Sequence, residues 1–331
     1  MKVTSYNDRT SYQYEVIFLV GYIKREYVNV KWKNLIGMIT VERFEQGYIF
    51  KLPDMTTEKQ FARGMNRLIK LIQKLQVEIV VFAKNLKKEE DLFKLKATQI
   101  GIIKGKKIME SMKLDIMEYI FRVQNRNMKQ DDIYLLINKE PTLDLNFIGQ
   151  MIENFKTVNI VTNDIERFKS IQQNLYDNED ILISVSNNKK KALKKAKYIL
   201  NVNLNKKELE KYKINRHAIL IHLREVIKYG DNTFDGINVN GIKVHVPDEI
   251  LEKYEVVTRE SEFDNLQLYE SFLCPKLDRV SMIEKQVKQD EIRIESLIGN
   301  NGKINPEELI SNAEINCDFR VKNIDKVRRL V

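Results

Sequence analysis

The segment that decides the fold begins IYLLINKEPTLDLNFIGQMIENFKTVNIVTND (133–164) and continues to Leu223. It contains five apolar runs of four or five residues, rich in Ile, Val and Leu, as expected for strands buried on both faces of a parallel sheet. The runs are Ile133–Ile137, Val158–Val161, Ile181–Val185, Tyr198–Val202 and Ala218–Ile221. The segment therefore predicts a parallel sheet.

Stretches with helical spacing separate the runs. The first predicted helix has an apolar stripe of Leu143, Phe147, Ile148, Met151, Ile152 and Phe155. The second has a stripe of Ile165, Phe168, Gln172, Leu175 and Tyr176. Each stripe suits a helix that packs on a sheet. Successive β-α-β units favour right-handed crossovers and a doubly wound, Rossmann-like α/β sheet.

Two stretches resemble a known family. Val161–Phe168 looks like the end of the second strand and the following helix in two-domain Rossmann-fold dehydrogenases of the shikimate and amino-acid dehydrogenase-like group, and Ala196–Val202 looks like their fourth strand. The resemblance covers about three quarters of the chain and implies an NAD(P) cofactor. It also implies a catalytic Lys and Asp pair in the first domain, where Lys84, followed by Asn85, is the nearest equivalent by position.

The phosphate-binding turn of that family is missing. In place of G-x-G-x-x-G the chain has Asn138–Asp144, which contains Pro141, Glu140 and Asp144 but no glycine. Proline removes a backbone donor, and carboxylates at the positive end of a helix repel pyrophosphate. We therefore predict a degenerate domain with no bound cofactor; NAD(P) held by a non-standard phosphate loop is the alternative.

If a small polar ligand or a nucleoside binds, it should lie where the parallel strands end. The polar residues expected there are Asn138, Thr162, Asn163, Asn187, Asn188, Asn203 and Arg224. Asparagine also caps helices, and Asn163 with Glu166 has capping-box spacing, so helix capping is the favoured interpretation and a degenerate pocket is the second. The spacing of the histidines His217, His222 and His245 does not suit a metal site. The spacing of the cysteines Cys274 and Cys317 does not suit a nucleophile site.

The sequence suggests three regions. Residues 1–127 read as a smaller α/β domain, residues 128–247 as the degenerate Rossmann-like domain, and residues 248–331 as a helical region that packs on the first domain or on a second copy in a homodimer. The helical interpretation rests on a stripe of Val280, Ile283, Val287, Ile294 and Leu297. An Asn-Gly pair at Asn240 and Gly241 predicts a β-hairpin.

Composition limits the remaining classes. No apolar run is long enough to span a bilayer, and the two cysteines fit a reducing compartment, so we expect a cytoplasmic protein without a membrane partner. The net charge is +9. The densest run of basic residues in the chain is Lys189–Lys197. The spacing of its lysines suits an exposed helix face, and no aromatic residue lies between them. We therefore expect no specific nucleic-acid partner and only weak, sequence-independent binding to duplex DNA.

Three functions remain open after the sequence alone. The favoured one is a non-catalytic, dehydrogenase-like protein that acts as a binding or regulatory module. The second is an NAD(P)-dependent oxidoreductase of the resembled type. The third, a basic nucleic-acid-binding protein, rests on net charge.

Overall fold

A computed structural model of the chain describes residues 19–26, 38–44, 47–97, 99–138, 145–179, 181–229, 234–252, 262–273, 277 and 279–316. The chain divides into two compact units. Unit 1 contains residues 1–103 with two short later segments, 254–264 and 274–276. Unit 2 contains the remaining residues. Both units combine parallel strands with helices, so the α/β class is confirmed.

Unit 1 contains a five-stranded sheet in the order β2-β3-β1-β4-β5, in which only the β2–β3 pair is antiparallel. The strands are β1 (Val20–Arg25), β2 (Thr40–Phe44), β3 (Gly47–Leu52), β4 (Ile79–Phe82) and β5 (Gly101–Ile102). The helices are α1 (Glu58–Lys74) and α2 (Lys87–Lys96). Helix α1 begins at a capping box formed by Thr57 and Gln60. Its buried residues repeat at helical spacing.

Unit 2 is built on a six-stranded sheet in which every neighbouring pair is parallel. The strands are β6 (Asp132–Leu136), β7 (Thr157–Val161), β8 (Ile183–Ser186), β9 (Tyr198–Asn201), β10 (Ile219–His222) and β11 (Ile237–Val239). Their order across the sheet is β11-β10-β9-β6-β7-β8. The five apolar runs predicted as strands therefore form β6 to β10.

The helices of unit 2 precede, separate and follow these strands. They are α3 (Lys106–Ser111), α4 (Lys113–Val123), α5 (Leu145–Asn154), α6 (Ile165–Glu179), α7 (Lys206–Leu209), α8 (Asp248–Leu251), α9 (Asn265–Leu273), α10 (Val280–Gln289) and α11 (residues 306–316). Strands β9 and β10 are buried along their whole length, which explains their continuous apolar sequences.

The predicted hairpin at Asn240 and Gly241 is wrong. Val239 ends β11 in the six-stranded sheet, whereas Gly241 begins β12 (Gly241–His245), which pairs antiparallel with β13 (Arg293–Gly299) in a separate sheet. A two-residue hairpin turn needs a positive φ, and neither Asn240 nor Gly241 has one. The Asn-Gly pair instead carries the chain from one sheet to the next.

The C-terminal stripe is also not a single helix. Helix α10 ends at Gln289, and Ile294 and Leu297 belong to strand β13, which continues into β14 (Gly302–Lys303). Helical spacing holds for Val280, Ile283 and Val287 only. Beyond Asp290 the apolar residues Ile292 and Ile294 alternate with polar ones, which is the period of a strand. The last region of the chain therefore contains strands as well as helices.

Candidate functional site

The candidate site is the edge of the six-stranded sheet at which its parallel strands end. The order of the strands along the chain reverses between β6 and β9, which lie side by side in the sheet. Ligands of open α/β sheets bind at such a reversal, beyond the carboxyl ends of the strands. Two groups of polar residues occupy this edge. The asparagine cluster comprises Asn138, Asn163, Asn203, Glu208 and Tyr212, and the lysine–histidine network comprises Lys106, Asn201, His222, Asn238 and Asn240.

The asparagine cluster joins the segments that follow β6, β7 and β9. The backbone N–H of Asn138 donates to Asn203 Oδ1 at 2.8 Å, and Asn138 Oδ1 accepts from the backbone N–H of Asn163 at 3.1 Å. The amide of Asn138 also donates to Glu208 Oε1 at 2.6 Å. Three of the residues predicted from the sequence, Asn138, Asn163 and Asn203, are therefore brought together by bonds to one another.

Glu208 is held in the asparagine cluster by its own helix. Asn205 and Glu208 form a capping box at the start of α7, in which Glu208 Oε2 accepts from the backbone N–H of Asn205 at 3.0 Å. Tyr212 follows in the same segment, and its hydroxyl lies 3.5 Å from Asn163 Oδ1. Burial, and secondarily Glu208, raise the pKa of Tyr212. Its hydroxyl therefore stays protonated and serves as a donor.

The other predicted ligand residues are not part of this cluster. Thr162 Oγ1 accepts from the backbone N–H of Asp164, and Asn188 Oδ1 accepts from the backbone N–H groups of Lys190 and Lys191. Asn187 is exposed beside the edge strand β8. Arg224 forms a two-pronged ion pair with Glu110, with contacts of 3.0 and 2.8 Å. The turn residues 139–144, with Pro141, lie outside the described residues.

His222 lies at the centre of the lysine–histidine network. Asn201 Oδ1 accepts from the backbone N–H of Leu204, so its Nδ2 is the donor to His222 Nδ1 at 3.1 Å. On the other side, Asn238 Nδ2 donates to the carbonyl of Tyr229, which leaves Asn238 Oδ1 as the acceptor for His222 Nε2 at 3.4 Å. These bonds assign a neutral imidazole with its proton on Nε2. Burial lowers the pKa of His222 to about 4.

Lys106 joins the first turn of α3 to the ends of β10 and β11. Its Nζ donates to the carbonyl of Asn240 at 2.8 Å and to the carbonyl of His222 at 3.3 Å, and it lies 3.6 Å from Met109 Sδ. Burial lowers the pKa of Lys106 to about 8, although nearby Glu270 opposes the change. The amine therefore loses its proton in a range where exposed lysines stay charged.

Glu270, on α9, is a third buried titratable group beside α3. Its Oε2 accepts from the backbone N–H of Lys107 at 2.9 Å and of Ile108 at 3.3 Å. Burial raises the pKa of Glu270 to about 7, and the two backbone donors oppose that change. Lysine, histidine and glutamate in this part of unit 2 thus have pKa values between about 4 and about 8.

Most of this network is not predicted from the sequence. His222 was expected to be a strand-end residue with ordinary hydrogen bonds, which the contacts with Asn201 and Asn238 confirm. No sequence pattern singled out Lys106, Glu208 or Glu270. A usable signal was the presence of polar residues within otherwise apolar strands, since a buried amide needs partners. The identity of those partners carries no local signal.

Within residues 19–316 as described, no group of three or more His, Cys, Asp or Glu side chains is placed to hold a metal ion. Within the same residues, no helix is both long and apolar enough to cross a membrane.

Comparison with known proteins adds little beyond the fold class. No family model matches the chain, and no curated protein matches it significantly. Similar solved structures include L-tryptophan dehydrogenase from Nostoc punctiforme, which is 8% identical, with 92% of this chain and 89% of that chain covered at a TM-score of 0.29.

Two carbamoyltransferases are also similar. The ornithine carbamoyltransferase of Pyrococcus furiosus is 10% identical, with 81% of this chain and 83% of that chain covered at a TM-score of 0.27. The anabolic ornithine carbamoyltransferase of Campylobacter jejuni is 13% identical, with 78% and 88% covered at a TM-score of 0.23. All are α/β proteins, the class that the parallel sheets of this chain show directly.

Proposed function

We propose that unit 2 is a Rossmann-like, doubly wound domain that has lost its dinucleotide site, and that the protein acts as a binding or regulatory module. The strand order supports the first part. Numbered along the chain, the six parallel strands have the order 3-2-1-4-5-6 across the sheet, which is the order of dinucleotide-binding domains. The asparagine cluster then lies at the reversal where a dinucleotide would bind.

The observation that carries the proposal is the engagement of Asn138. Asn138 lies two residues beyond the end of β6, the first strand of this order, where dinucleotide-binding proteins present free backbone donors to pyrophosphate. Here its backbone N–H, its amide and its side-chain oxygen bond to Asn203, Glu208 and Asn163, respectively. A cofactor would have to displace these bonds.

The charge of Glu208 supports the same conclusion. The capping box fixes its carboxylate 2.6 Å from the Asn138 amide, at the edge that a pyrophosphate would approach. Like charges a few ångströms apart in a half-buried site repel by several kcal/mol. The sequence that follows Asn138 contains two further carboxylate residues, Glu140 and Asp144.

Isothermal titration calorimetry of the full chain with NAD, NADH, NADP and NADPH tests this proposal. We expect no binding in the micromolar range, and micromolar binding of any of the four would refute it. A thermal-shift measurement gives an independent readout, because a ligand at about 100 times its Kd stabilises the fold by about 2.7 kcal/mol.

The variant Glu208→Gln tests the role assigned to charge. Removing the charge should increase any residual dinucleotide affinity, whereas Glu210→Gln should not, because Glu210 is exposed and pairs with Lys206. Equal effects of the two substitutions would show that the position of Glu208 has no special importance.

A second candidate function is catalysis, and Lys106 is the observation that favours it. An amine with its pKa lowered to about 8, placed at the strand ends, is suited to proton transfer. The test is NAD(P)H oxidation with a panel of keto acids, comparing the wild type with Lys106→Met. Turnover that depends on Lys106 would favour the oxidoreductase over the binding module.

A further inference from the structure

The positive charge of the chain is concentrated in one segment of unit 2. Residues 189–216, called the basic segment below, contain eleven of the 56 Lys and Arg residues and two of the 47 Asp and Glu residues. The formal charge of this segment is therefore +9, equal to that of the whole chain. All other residues together contain 45 of each sign. The net charge is thus a local property of the segment.

The fold makes this segment one surface. Its two basic stretches, 189–195 and 206–213, follow β8 and β9, and they are joined by backbone bonds from Lys213 to Lys189 (2.8 Å) and from Asn215 to Leu193 (3.0 Å). Leu193, Ala196, Leu204, Leu209 and Tyr212 pack into a common core cluster. Residues 189–195 form turns, so the predicted helix is wrong, although the lysines do face outward.

The lysines of the segment are largely unneutralised. Nine are exposed: Lys189, Lys190, Lys191, Lys194, Lys195, Lys206, Lys207, Lys211 and Lys213. Within the described part of the chain, only Lys206 of these nine pairs with a carboxylate, that of Glu210 at 3.9 Å. The other acid of the segment, Glu208, is half-buried and bonded to Asn138. Mutual repulsion of so many like charges is relieved by a polyanionic partner.

The absence of apolar anchors narrows the class of polyanion. Large apolar residues that are exposed elsewhere, such as Leu182 and Val226, do not occur in the basic segment among the described residues, and its two tyrosines, Tyr198 and Tyr212, are buried. Protein–protein interfaces need apolar or aromatic anchor residues, and they contain fewer lysines than the rest of the protein surface. Single-stranded nucleic acids need exposed aromatic rings for stacking. Binding to the regularly spaced phosphates of a duplex requires neither apolar anchors nor exposed aromatic rings.

We infer that the basic segment is a binding surface for the phosphate backbone of duplex nucleic acid, contacted without sequence preference. The inference gives the proposed binding role a partner class and rests on that role. No contact with the base edges is proposed, which agrees with the sequence-independent binding expected from composition. Lysine ammonium groups act here as point charges on phosphates, each contact releasing condensed counter-ions.

The test is fluorescence anisotropy of the full chain with a DNA duplex of about 30 base pairs and mixed sequence, titrated at about 50 to 200 mM salt. The patch variant changes Lys190, Lys191, Lys194 and Lys195 to Gln. The control variant changes Lys59, Lys70, Lys74 and Lys94 to Gln, so that the two variants have the same net charge. All eight lysines are exposed, and equal thermal unfolding of both variants verifies that the fold is retained.

We expect the wild type and the control to bind with a steep salt dependence. The patch variant should bind more weakly, with a slope of log K against log salt that is less steep by up to about 3.6, since each lost phosphate contact removes about 0.9. Absence of duplex binding at about 50 mM salt, or equal weakening in both variants, would overturn the inference.

Two additional probes test the choice of partner. A single strand of the same length and vesicles containing phosphatidylserine are titrated at equal ionic strength. Tighter binding to either of them than to the duplex would overturn the assignment to duplex nucleic acid. The dinucleotide titrations are independent of this result, so a failure here leaves the loss of the cofactor site separately testable.

Discussion

The two polar groups at the carboxyl edge of the unit 2 sheet both contain asparagines but differ in burial. The asparagine cluster is half-buried around Asn138, whereas Asn201 and His222 in the lysine–histidine network have exposures of 3% and 0%. Only the buried network combines lysine and histidine with lowered pKa values. The asparagine cluster contains no lysine or histidine, so the two groups differ in residue type as well as in burial, and it is burial that lowers the pKa values of Lys106 and His222.

The largest effect that this comparison predicts is the difference between Asn201→Ala and Asn138→Ala. Asn201 bonds to both backbone groups of Leu204 and to His222, all in a buried setting. Its removal should lower the free energy of unfolding by about 3 kcal/mol, because buried partners left without hydrogen bonds are costly. Asn138→Ala should cost about 1 kcal/mol, because water can reach its half-buried partners. Urea unfolding of both variants gives the values; a larger loss for Asn138→Ala would reverse the comparison.

A second prediction concerns acid. His222 has a folded-state pKa of about 4, below the ordinary 6.5, so the unfolded chain binds the proton first. The unfolding free energy should therefore fall by about 2 kcal/mol or more as the pH drops from 6.5 towards 4, and the His222→Gln variant should lack this part of the loss. Chemical denaturation at a series of pH values measures it. Parallel curves for the two proteins would show that His222 is not buried in its neutral form.

For Glu270 we expect the opposite dependence of the unfolding free energy on pH. Its folded-state pKa of about 7 lies above the ordinary 4.5, so the folded chain holds the proton more tightly. The contribution of Glu270 to the unfolding free energy is present at low pH and is lost as the pH rises from 4.5 through 7. The size of this loss should be comparable to the loss that His222 causes in acid. The Glu270→Gln variant should lack that loss, and its curve should diverge from the wild type in the direction opposite to His222→Gln.

A fourth prediction concerns Gly105, which precedes Lys106. Its φ is +76°, and a Cβ atom there would lie 2.6 Å from a methyl group of Leu266. Gly105→Ala should therefore cost about 2 kcal/mol and displace Lys106. The matched change is Gly149→Ala inside helix α5, where an added Cβ meets nothing within 4 Å.

The effect of Gly149→Ala is the smallest expected. Alanine in the interior of a helix is favoured over glycine, so the variant should be more stable by about 0.5 to 1 kcal/mol. Thermal unfolding of Gly105→Ala and Gly149→Ala should give shifts of opposite sign. Two destabilised variants would contradict the placement of Gly149.

Local patterns predicted the elements well where one period persisted. The run from Ile133 to Ile137 became β6, and the run from Tyr198 to Val202 became β9, because continuous apolar sequence marks strands buried on both faces. The prediction failed where the period changed within a few residues. Val287 ends a helical spacing and Ile294 belongs to strand β13, yet both fit one helical stripe because they are seven residues apart in the sequence.

The candidate site was predicted in part. Asn138, Asn163 and Asn203 were expected at the strand ends because parallel strands end on one edge, and they do meet there. The contacts of Lys106 were not predicted, because its two acceptors lie 116 and 134 residues further along the chain. Residue type alone also did not indicate that the charge of the segment around Lys189 gathers on one surface.

The sequence by itself determined the alternation of strands and helices in unit 2 and showed that no glycine-rich turn follows Ile137, because hydrophobic period and turn chemistry are local properties of neighbouring residues. Only the tertiary structure decided which sheet receives Gly241, which groups bond to His222, and which acids and bases are buried. Hydrogen-bond partners and desolvation depend on residues far apart in the chain. Those two quantities set the pKa values of Lys106 and Glu270.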